Sequence, residues 1–204
     1  MRVLFLSPHT DDVELGCGGT LSKMIRDGRE IMVVAFSPAR ESVPPDFPGD
    51  ALIEEMKRAM EFLGIGNYKI LEYPVRKFPE YRQEILEELV KMREEFSPDL
   101  VFVPSSSDVH QDHEVIHKEA LRAFRKVSIL GYEQPWNTKD FHPQCFILLT
   151  QEDVERKIRA LSFYHTQKRR KYFDPEFIKS LAKLRGMQAE GEYAEAFEVV
   201  RWHM

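Results

Sequence analysis

Short apolar runs alternate with amphipathic segments over the first two-thirds of the chain. Arg2–Ser7, Glu30–Ser37 and residues 100–104 are almost continuously hydrophobic, which is typical of strands buried on both faces of a sheet. Helical spacing of apolar residues is found from Gly18 to Arg26, at 51–63 and at about 80–95. Strands that are separated by helices are joined by right-handed crossovers and lie parallel. We therefore predict an α/β fold, a Rossmann-like and mostly parallel sheet with helices on both faces.

The pattern changes after Ile129, and the later elements are less regularly ordered. The predicted elements there are strands at Ser128–Glu133, Cys145–Thr150 and 194–202, with helices over about 152–163 and 175–185. A chain of 204 residues, 43% of them hydrophobic, is long enough to bury one core of its own. We expect a single domain over residues 1–204, in which 129–204 is a C-terminal elaboration.

Charge and cysteine content exclude several classes of protein. The net charge of −5 argues against a nucleic-acid binder, which normally carries a basic surface. The two cysteines cannot build a disulfide framework, and the apolar N-terminal run is too short for a signal peptide or a membrane-spanning helix. These features predict a cytoplasmic protein without membrane insertion, and they leave a homo-oligomer open.

Metal-ligand side chains follow two of the predicted strands. The segment from His9 to Asp12 comes after the first strand, and "DVHQDH" (108–113) comes after the run that ends at Pro104. Ligands of an open parallel sheet bind beyond the carboxyl ends of its strands. Imidazoles and carboxylates together suit zinc or a similar divalent ion. Either loop alone could be a solvated loop, but the two together predict a shared metal site.

A glycine-rich stretch, "GCGGT" (16–20), offers a second interpretation of the first loop. It resembles the start of a dinucleotide-binding turn, in which backbone amides at a helix N-terminus hold phosphates. The glycine spacing differs from that motif, and no acidic residue follows the second strand to bind a ribose. We expect instead that the glycines let the first helix approach the sheet closely.

The two loops also carry a family resemblance. "PHTDDVELGCGGT" (8–20) resembles the first motif of the LmbE/PIG-L family of zinc-dependent N-deacetylases, and "DVHQDH" resembles its second motif. "EEMKRAMEFLGI" (54–65) is similar to the helix between the motifs. "KIRALSFYHTQ" (157–167) and "GEYAEAFEVVR" (191–201) are similar to the C-terminal region of the family.

The resemblance implies a zinc-dependent hydrolase in which a metal-activated water removes the N-acetyl group from a small amino sugar, an N-acetylglucosamine-type conjugate. Iron or cobalt would suit the same ligands. The alternatives are a deacylase of another N-acyl compound, a nucleotide-binding domain without hydrolase activity, and a non-catalytic metal-binding subunit.

The resemblance also implies roles for individual residues. By position, the metal ligands are His9, Asp12 and His113. Asp11 is implied as the general base, and His110 would act on the other side of the scissile amide. Asp112 would hydrogen-bond His110 and favour its charged form. Either Asp11 or His110 could protonate the leaving amine.

Substrate contacts are less well defined by the sequence. Family members often have an arginine at the start of the central helix, where this chain has Leu52; Arg40 is the available substitute, or a solvated loop charge. The family counterpart of His165 sits near the pocket, so His165 has either a pocket role or a packing role. The basic stretch "QKRRKYF" (167–173) could hold an anionic substrate group or form a solvated face, and Trp136 could stack on a sugar.

Two further titratable residues adjoin the motifs. Glu14 is expected to cap the following turn or to orient a metal ligand from behind. His117 lies one helical turn after His113 and is a further candidate ligand, although the resemblance does not require it.

Overall fold

The computed structural model describes residues 1–203, and within that range seven strands form one sheet in the order β3-β2-β1-β4-β5-β7-β6. The strands are β1 (Arg2–Ser7), β2 (Glu30–Ala35), β3 (Tyr68–Ile70), β4 (Leu100–Pro104), β5 (Ser128–Tyr132), β6 (Cys145–Leu149) and β7 (Tyr193–Arg201). The first five strands are parallel to one another, whereas β7 runs antiparallel to both β5 and β6. The predicted mostly parallel sheet is confirmed.

Six α-helices accompany these strands in the described residues. They are α1 (Asp12–Arg26), α2 (Ala51–Leu63), α3 (Arg82–Phe96), α4 (Gln111–Ala123), α5 (Gln151–Leu161) and α6 (Pro175–Gln188). None of them is long and apolar enough to cross a membrane.

Helices cover both faces of the sheet because consecutive strand residues point to opposite sides. Val3 and Phe5 of β1 pack in a core that includes buried residues of α1 and α2. Leu4 and Leu6 pack in a second core with α3 and α4. Both faces of β1 are therefore buried, as expected for a continuously apolar strand.

The sheet has its switch point between β1 and β4. From β1 the chain crosses over to β2 on one side, whereas β4 pairs with the opposite edge of β1, with Val3 beside Leu100 and Phe5 beside Phe102. Connections leave the two strands in opposite directions, so a crevice opens beyond their carboxyl ends. The two predicted ligand loops begin at this crevice.

Helix α1 begins at Asp12, earlier than the predicted helical spacing from Gly18. Three glycines therefore lie inside the helix, at positions where neighbouring side chains leave little room for a Cβ. A Cβ on Gly16, for example, would lie 2.3 Å from Tyr132 Cδ2. The helix kinks at Cys17, and the Glu195 carboxylate accepts hydrogen bonds from the amides of Gly19 and Thr20 at 3.0 and 2.6 Å. The expected close approach of this helix is confirmed.

Candidate metal centre and active site

The loops after β1 and β4 bring three donor atoms together at the switch point. His9 Nδ1 lies 3.0 Å from Asp12 Oδ2, and His113 Nε2 lies 3.3 Å from the same oxygen. The two imidazole nitrogens are 3.4 Å apart. Ligands of a tetrahedral zinc ion, bonded at about 2.0–2.1 Å, lie roughly 3.3 Å from one another. The spacing of these three donors therefore fits a divalent ion between them.

Each of the two imidazoles has a carboxylate at its other nitrogen. His9 Nε2 lies 3.0 Å from Asp112 Oδ2, and His113 Nδ1 lies 2.7 Å from Asp108 Oδ2. A carboxylate behind a metal-binding histidine fixes the tautomer and the ring orientation, and it makes the imidazole a better ligand. Both histidines are therefore oriented to direct their free nitrogen towards Asp12.

Asp12 is held in place from both sides. Its Oδ2 accepts a hydrogen bond from the His9 amide at 2.8 Å, and its Oδ1 accepts one from the Gln134 side-chain amide at 2.9 Å. Burial opposes ionisation of this carboxyl, but the charges and hydrogen bonds of His113 and His9 outweigh it and hold the pKa of Asp12 well below its usual value. Asp12 is thus an anionic donor.

Asp112 differs from its implied role. Its carboxylate contacts His9 and accepts hydrogen bonds from the amides of Arg76 at 2.5 Å and Phe78 at 3.2 Å. Only its backbone amide reaches the His110 ring, donating to Nδ1 at 3.2 Å. The implied pairing of the Asp112 carboxylate with His110 is therefore wrong, because His9 occupies the position at which that pairing would form.

His110 stands beside the three donors rather than among them. Its ligand atom lies within 4.8 Å of those of His9 and His113, so the three histidines also form a candidate metal cluster, but Asp12 is closer to both. Burial and the nearby charges of His113 and His9 lower the pKa of His110 to about 4, although Asp112 opposes them. The positive charges that lower this pKa lie on His9 and His113, the two implied metal ligands, so the charged form that the resemblance implies for His110 stays a prediction.

Asp11, the residue before α1, lines the cleft above the donors. Burial and the adjacent charge of Asp12 raise the pKa of Asp11 to about 6. A carboxylate with that pKa is mostly ionised at pH 7 and is still basic enough to accept a proton. Asp11 and Asp12 are thus chain neighbours with different acidities.

Glu14 forms a buried polar contact behind Asp11. The Tyr164 hydroxyl lies 2.7 Å from both the Thr10 carbonyl and Glu14 Oε1, and Glu14 Oε2 has no partner. A hydroxyl has one proton, and a carbonyl can only accept, so both short contacts are satisfied when Glu14 is protonated. Burial raises the pKa of Glu14 to about 8, which agrees with that arrangement. Glu14 contacts Tyr164 rather than a metal ligand.

The donors lie at the floor of a cleft of about 460 Å³. Its wall includes Trp136, whose ring stacks on Tyr172 at 4.1 Å between centroids and 12° between planes. Arg76, Gln167 and Arg170 also line it. Gln167 and Arg170 belong to the basic stretch noted in the sequence, so part of that stretch faces the cleft. Nothing in the sequence pointed to Arg76.

Two predicted substrate residues do not line this cleft. Arg40 is paired instead with Asp50 at 2.6 Å and with Glu72, so its guanidinium is already occupied. His165 is exposed, while Gln167 of the same 3₁₀ turn faces the cleft. The lining of the cleft gives no support to the substrate roles expected for Arg40 and His165, which stay predictions.

His117 has a packing role in the structure. Its Nδ1 lies 2.8 Å from the Pro104 carbonyl, so this nitrogen is occupied by the end of β4.

Comparisons with known proteins identify the family of this chain. The family model described as PIG-L: GlcNAc-PI de-N-acetylase matches residues 4–124, which include both ligand loops. The uncharacterised deacetylase YaiS of Escherichia coli K12 is 29% identical over 168 residues, 78% of this chain and 88% of that protein. The diacetylchitobiose deacetylase of Thermococcus kodakarensis is 25% identical over 200 residues, 95% of this chain and 71% of that protein.

The fold itself is shared more widely. The crystal structure of the 4-carboxy-2-hydroxymuconate hydratase of Pseudomonas putida KT2440 superposes with a TM-score of 0.81, at 20% identity, over 100% of this chain and 97% of that chain. A similarity at this level of identity shows the fold alone, since one fold can support unrelated reactions.

Proposed function

Since this chain belongs to the PIG-L family of GlcNAc-PI de-N-acetylases, we propose that it is a zinc-dependent N-deacetylase of a small N-acetylated amino sugar. The family is one of hydrolases that act on linear amides. The related diacetylchitobiose deacetylase acts, by its name, on an N-acetylated sugar, which supports the substrate class.

One observation carries the proposal. His9, Asp12 and His113 present three donor atoms within 3.0–3.4 Å of one another, and each histidine has a carboxylate behind it. Two imidazoles and one carboxylate leave a fourth position open, which is the arrangement of a catalytic zinc site. A zinc ion bound there would polarise the acetyl carbonyl and lower the pKa of water.

Asp11 is the proposed general base. Its carboxylate faces the cleft and can take a proton from the water that adds to the acetyl carbon. The same carboxyl group can then donate that proton to the nitrogen as the carbon–nitrogen bond breaks. The products are acetate and a free amine.

His110 is the proposed hydrogen-bond donor to the carbonyl oxygen. Because its Nδ1 accepts the Asp112 amide, a ring proton of His110 lies on Nε2. An imidazole held in this orientation can stabilise the negative charge that develops on the oxygen. Asp11 is the proposed proton donor to the leaving amine, with His110 as the alternative.

The cleft wall supports a sugar substrate. The paired rings of Trp136 and Tyr172 provide a flat aromatic surface, and the side chains of Asn137, Gln167 and Ser42 provide polar groups around it. Pockets that combine an aromatic wall with a few polar groups are typical of small-molecule sites.

Nucleotide binding has less support. Asp11 and Asp12 stand at the N-terminus of α1, where the phosphates of a dinucleotide would have to bind. Two carboxylates at that position repel a phosphate.

A screen for released acetate tests the proposal. The zinc-loaded protein is incubated with N-acetylglucosamine, its oligomers, and its phosphate, nucleotide and thiol conjugates. We expect acetate from at least one of them, and none after the metal has been removed by a chelator. Stoichiometric zinc with no acetate from any N-acetyl sugar would overturn the substrate class, and release of a different acid from another N-acyl compound would replace it.

A further inference from the structure

Two arginines in the cleft wall have no carboxylate partner among the described residues. Arg76 and Arg170 line the cleft from separate segments of the chain, and neither forms an ion pair there. The acidic residues of the lining are Asp11 and Asp12, which the proposed reaction already uses. The chain as a whole is acidic, with a net charge of −5. The cleft wall therefore carries two guanidinium groups outside any ion pair, although Arg170 is near enough to Asp11 to lower the pKa of that carboxyl.

Arg76 has an unusual backbone for a residue with a side chain. Its φ is +68°, in the left-handed region, where glycine is favoured. Its amide donates to the Asp112 carboxylate at 2.5 Å, which holds the backbone in this conformation. The guanidinium makes only long contacts, at 3.4 Å to the Glu41 carbonyl and the Ser42 hydroxyl. Glycine would adopt the same backbone conformation without strain, and the guanidinium that arginine adds here faces the cleft without a close partner among the described residues.

Arg170 is positioned by the aromatic wall. Its Nη1 donates to the Tyr172 hydroxyl at 2.6 Å, and its guanidinium carbon lies 5.8 Å from the centre of the same ring. Tyr172 in turn stacks on Trp136. An arginine has five N–H donors, so one hydrogen bond to tyrosine leaves most of them free for a ligand.

We propose that the substrate carries an anionic group, a carboxylate or a phosphate, which Arg170 and Arg76 bind while the N-acetyl group lies at His9, Asp12 and His113. This inference rests on the proposed deacetylase function and narrows its substrate class. A guanidinium group can bind two oxygens of a carboxylate or of a phosphate at once, through a pair of parallel hydrogen bonds. The substrate is therefore an acidic derivative of an N-acetyl amino sugar rather than a neutral one.

Matched substrates test the inference. The value of kcat/KM is measured for methyl N-acetylglucosaminide, for N-acetylglucosamine 1-phosphate and for an N-acetylglucosaminide with a carboxylate-bearing aglycone. We expect at least one of the anionic substrates to exceed the neutral one by about tenfold or more, because charge-assisted hydrogen bonds are stronger than neutral ones. The comparison of the phosphate with the carboxylate decides which anion is preferred.

Substitutions of Arg170 and Arg76 test whether these two arginines cause the preference for anionic substrates. In Arg170→Gln and in Arg76→Gly, which keeps the backbone conformation and its amide, we expect the ratio of anionic to neutral kcat/KM to fall about tenfold. Arg169→Gln is the matched control, because Arg169 is an exposed neighbour that does not line the cleft, and it should leave the ratio unchanged. Equal turnover of neutral and anionic substrates, or a ratio that survives both cleft variants, overturns the inference and leaves the deacetylase function standing.

A binding measurement tests the anion site independently of the proposed deacetylase activity. If no substrate releases acetate, the deacetylase proposal fails, and N-acetylglucosamine 1-phosphate is titrated calorimetrically into the zinc-loaded wild type, Arg170→Gln and Arg169→Gln. Any contact of the phosphate with zinc is common to all three proteins. Weaker binding in Arg170→Gln alone supports an anion site at the arginines, whereas equal binding in all three overturns it.

Discussion

Asp11 and Asp12 follow one another in the chain, yet their surroundings give them different chemistry. Asp12 faces two imidazoles and stays ionised, whereas Asp11 faces the cleft beside that negative charge, and its pKa rises to about 6. One carboxylate can therefore hold a metal while its neighbour exchanges protons. Such a separation of pKa values between adjacent titratable groups is typical of acid–base sites.

Asp11→Asn tests the proposed base. The amide has nearly the same shape but cannot take a proton, so we expect kcat for acetate release to fall by about 10²–10⁴-fold. The metal content, measured by mass spectrometry, should stay at the wild-type level because Asp11 is not one of the three close donors. Unchanged turnover would remove Asp11 as the base.

Asp112→Asn tests the carboxylate behind His9. Losing this partner weakens the orientation and basicity of the imidazole, so we expect about 10–100-fold weaker zinc affinity in a competition assay with a chromogenic chelator. Asp140→Asn, at an exposed aspartate that pairs with His142, is the control and should bind zinc like the wild type. Wild-type affinity in Asp112→Asn would show that the contact does not support metal binding.

Glu14→Gln tests whether the buried carboxyl group of Glu14 is protonated in the folded protein. The pKa of Glu14 is about 8 in the folded protein against 4.5 for an ordinary glutamate, so the folded state holds a proton that the unfolded state loses between these values. The free energy of unfolding of the wild type therefore falls as pH rises through this window, by up to about 1.4 kcal/mol per pH unit from this group. Glutamine does not titrate, so the free energy of unfolding of Glu14→Gln lacks this decrease with pH.

Chemical unfolding of the metal-free proteins from pH 5 to pH 8 measures the difference. We expect the stability of Glu14→Gln relative to the wild type to increase with pH, and that of Glu61→Gln, at an exposed glutamate of α2, to stay flat. A difference for Glu14→Gln that does not change with pH would mean that Glu14 is ionised throughout this window.

At the scale of the elements, the strands were predicted well because a buried parallel strand is apolar along its whole length. The prediction for β1 agrees with the structure at both ends, and that for β2 at its start. The start of α1 was not predictable from periodicity, since its first turns contain Asp12, Glu14 and three glycines rather than an apolar stripe. Close packing of the glycines, Gly16 on Tyr132 and Gly19 on Leu149, accommodates them in the helix despite their low helix propensity.

Gly16→Ala tests this packing. The added methyl group would meet the Tyr132 ring, which cannot easily move because its hydroxyl donates to the Leu6 carbonyl at 3.0 Å. We expect a loss of about 1–3 kcal/mol in the free energy of unfolding, measured with denaturant. Gly66→Ala, where no atom lies within 4 Å of the added Cβ, should change stability by less than about 0.5 kcal/mol. Equal stabilities would mean that α1 can move away from β5.

At the scale of the whole molecule, the position of the site follows from topology. The order of the strands places the carboxyl ends of β1 and β4 side by side, and this brings together two loops that lie about a hundred residues apart in the chain. The sequence predicted both loops because their residue types are unusual after apolar strands. It could not predict which carboxylate faces which imidazole, as Asp112 shows, because such contacts depend on side-chain directions within the folded loops.

The cleft wall was the least predictable part for the same reason. The stretch that contains Arg170 could be either an anion contact or a solvated face, Arg76 gave no signal, and Arg40, the available substitute for the family's arginine, is paired with Asp50. The folded chain decides which surface charges remain free to meet a ligand.

The most direct test of this account is a zinc titration of the chelator-treated protein, with acetate release as the readout. The account predicts that turnover of an N-acetylated amino sugar rises in proportion to added zinc and reaches its maximum at one ion per chain, while His113→Ala stays inactive over the same range. Acetate release that does not depend on metal, or that survives the loss of His113, would contradict it.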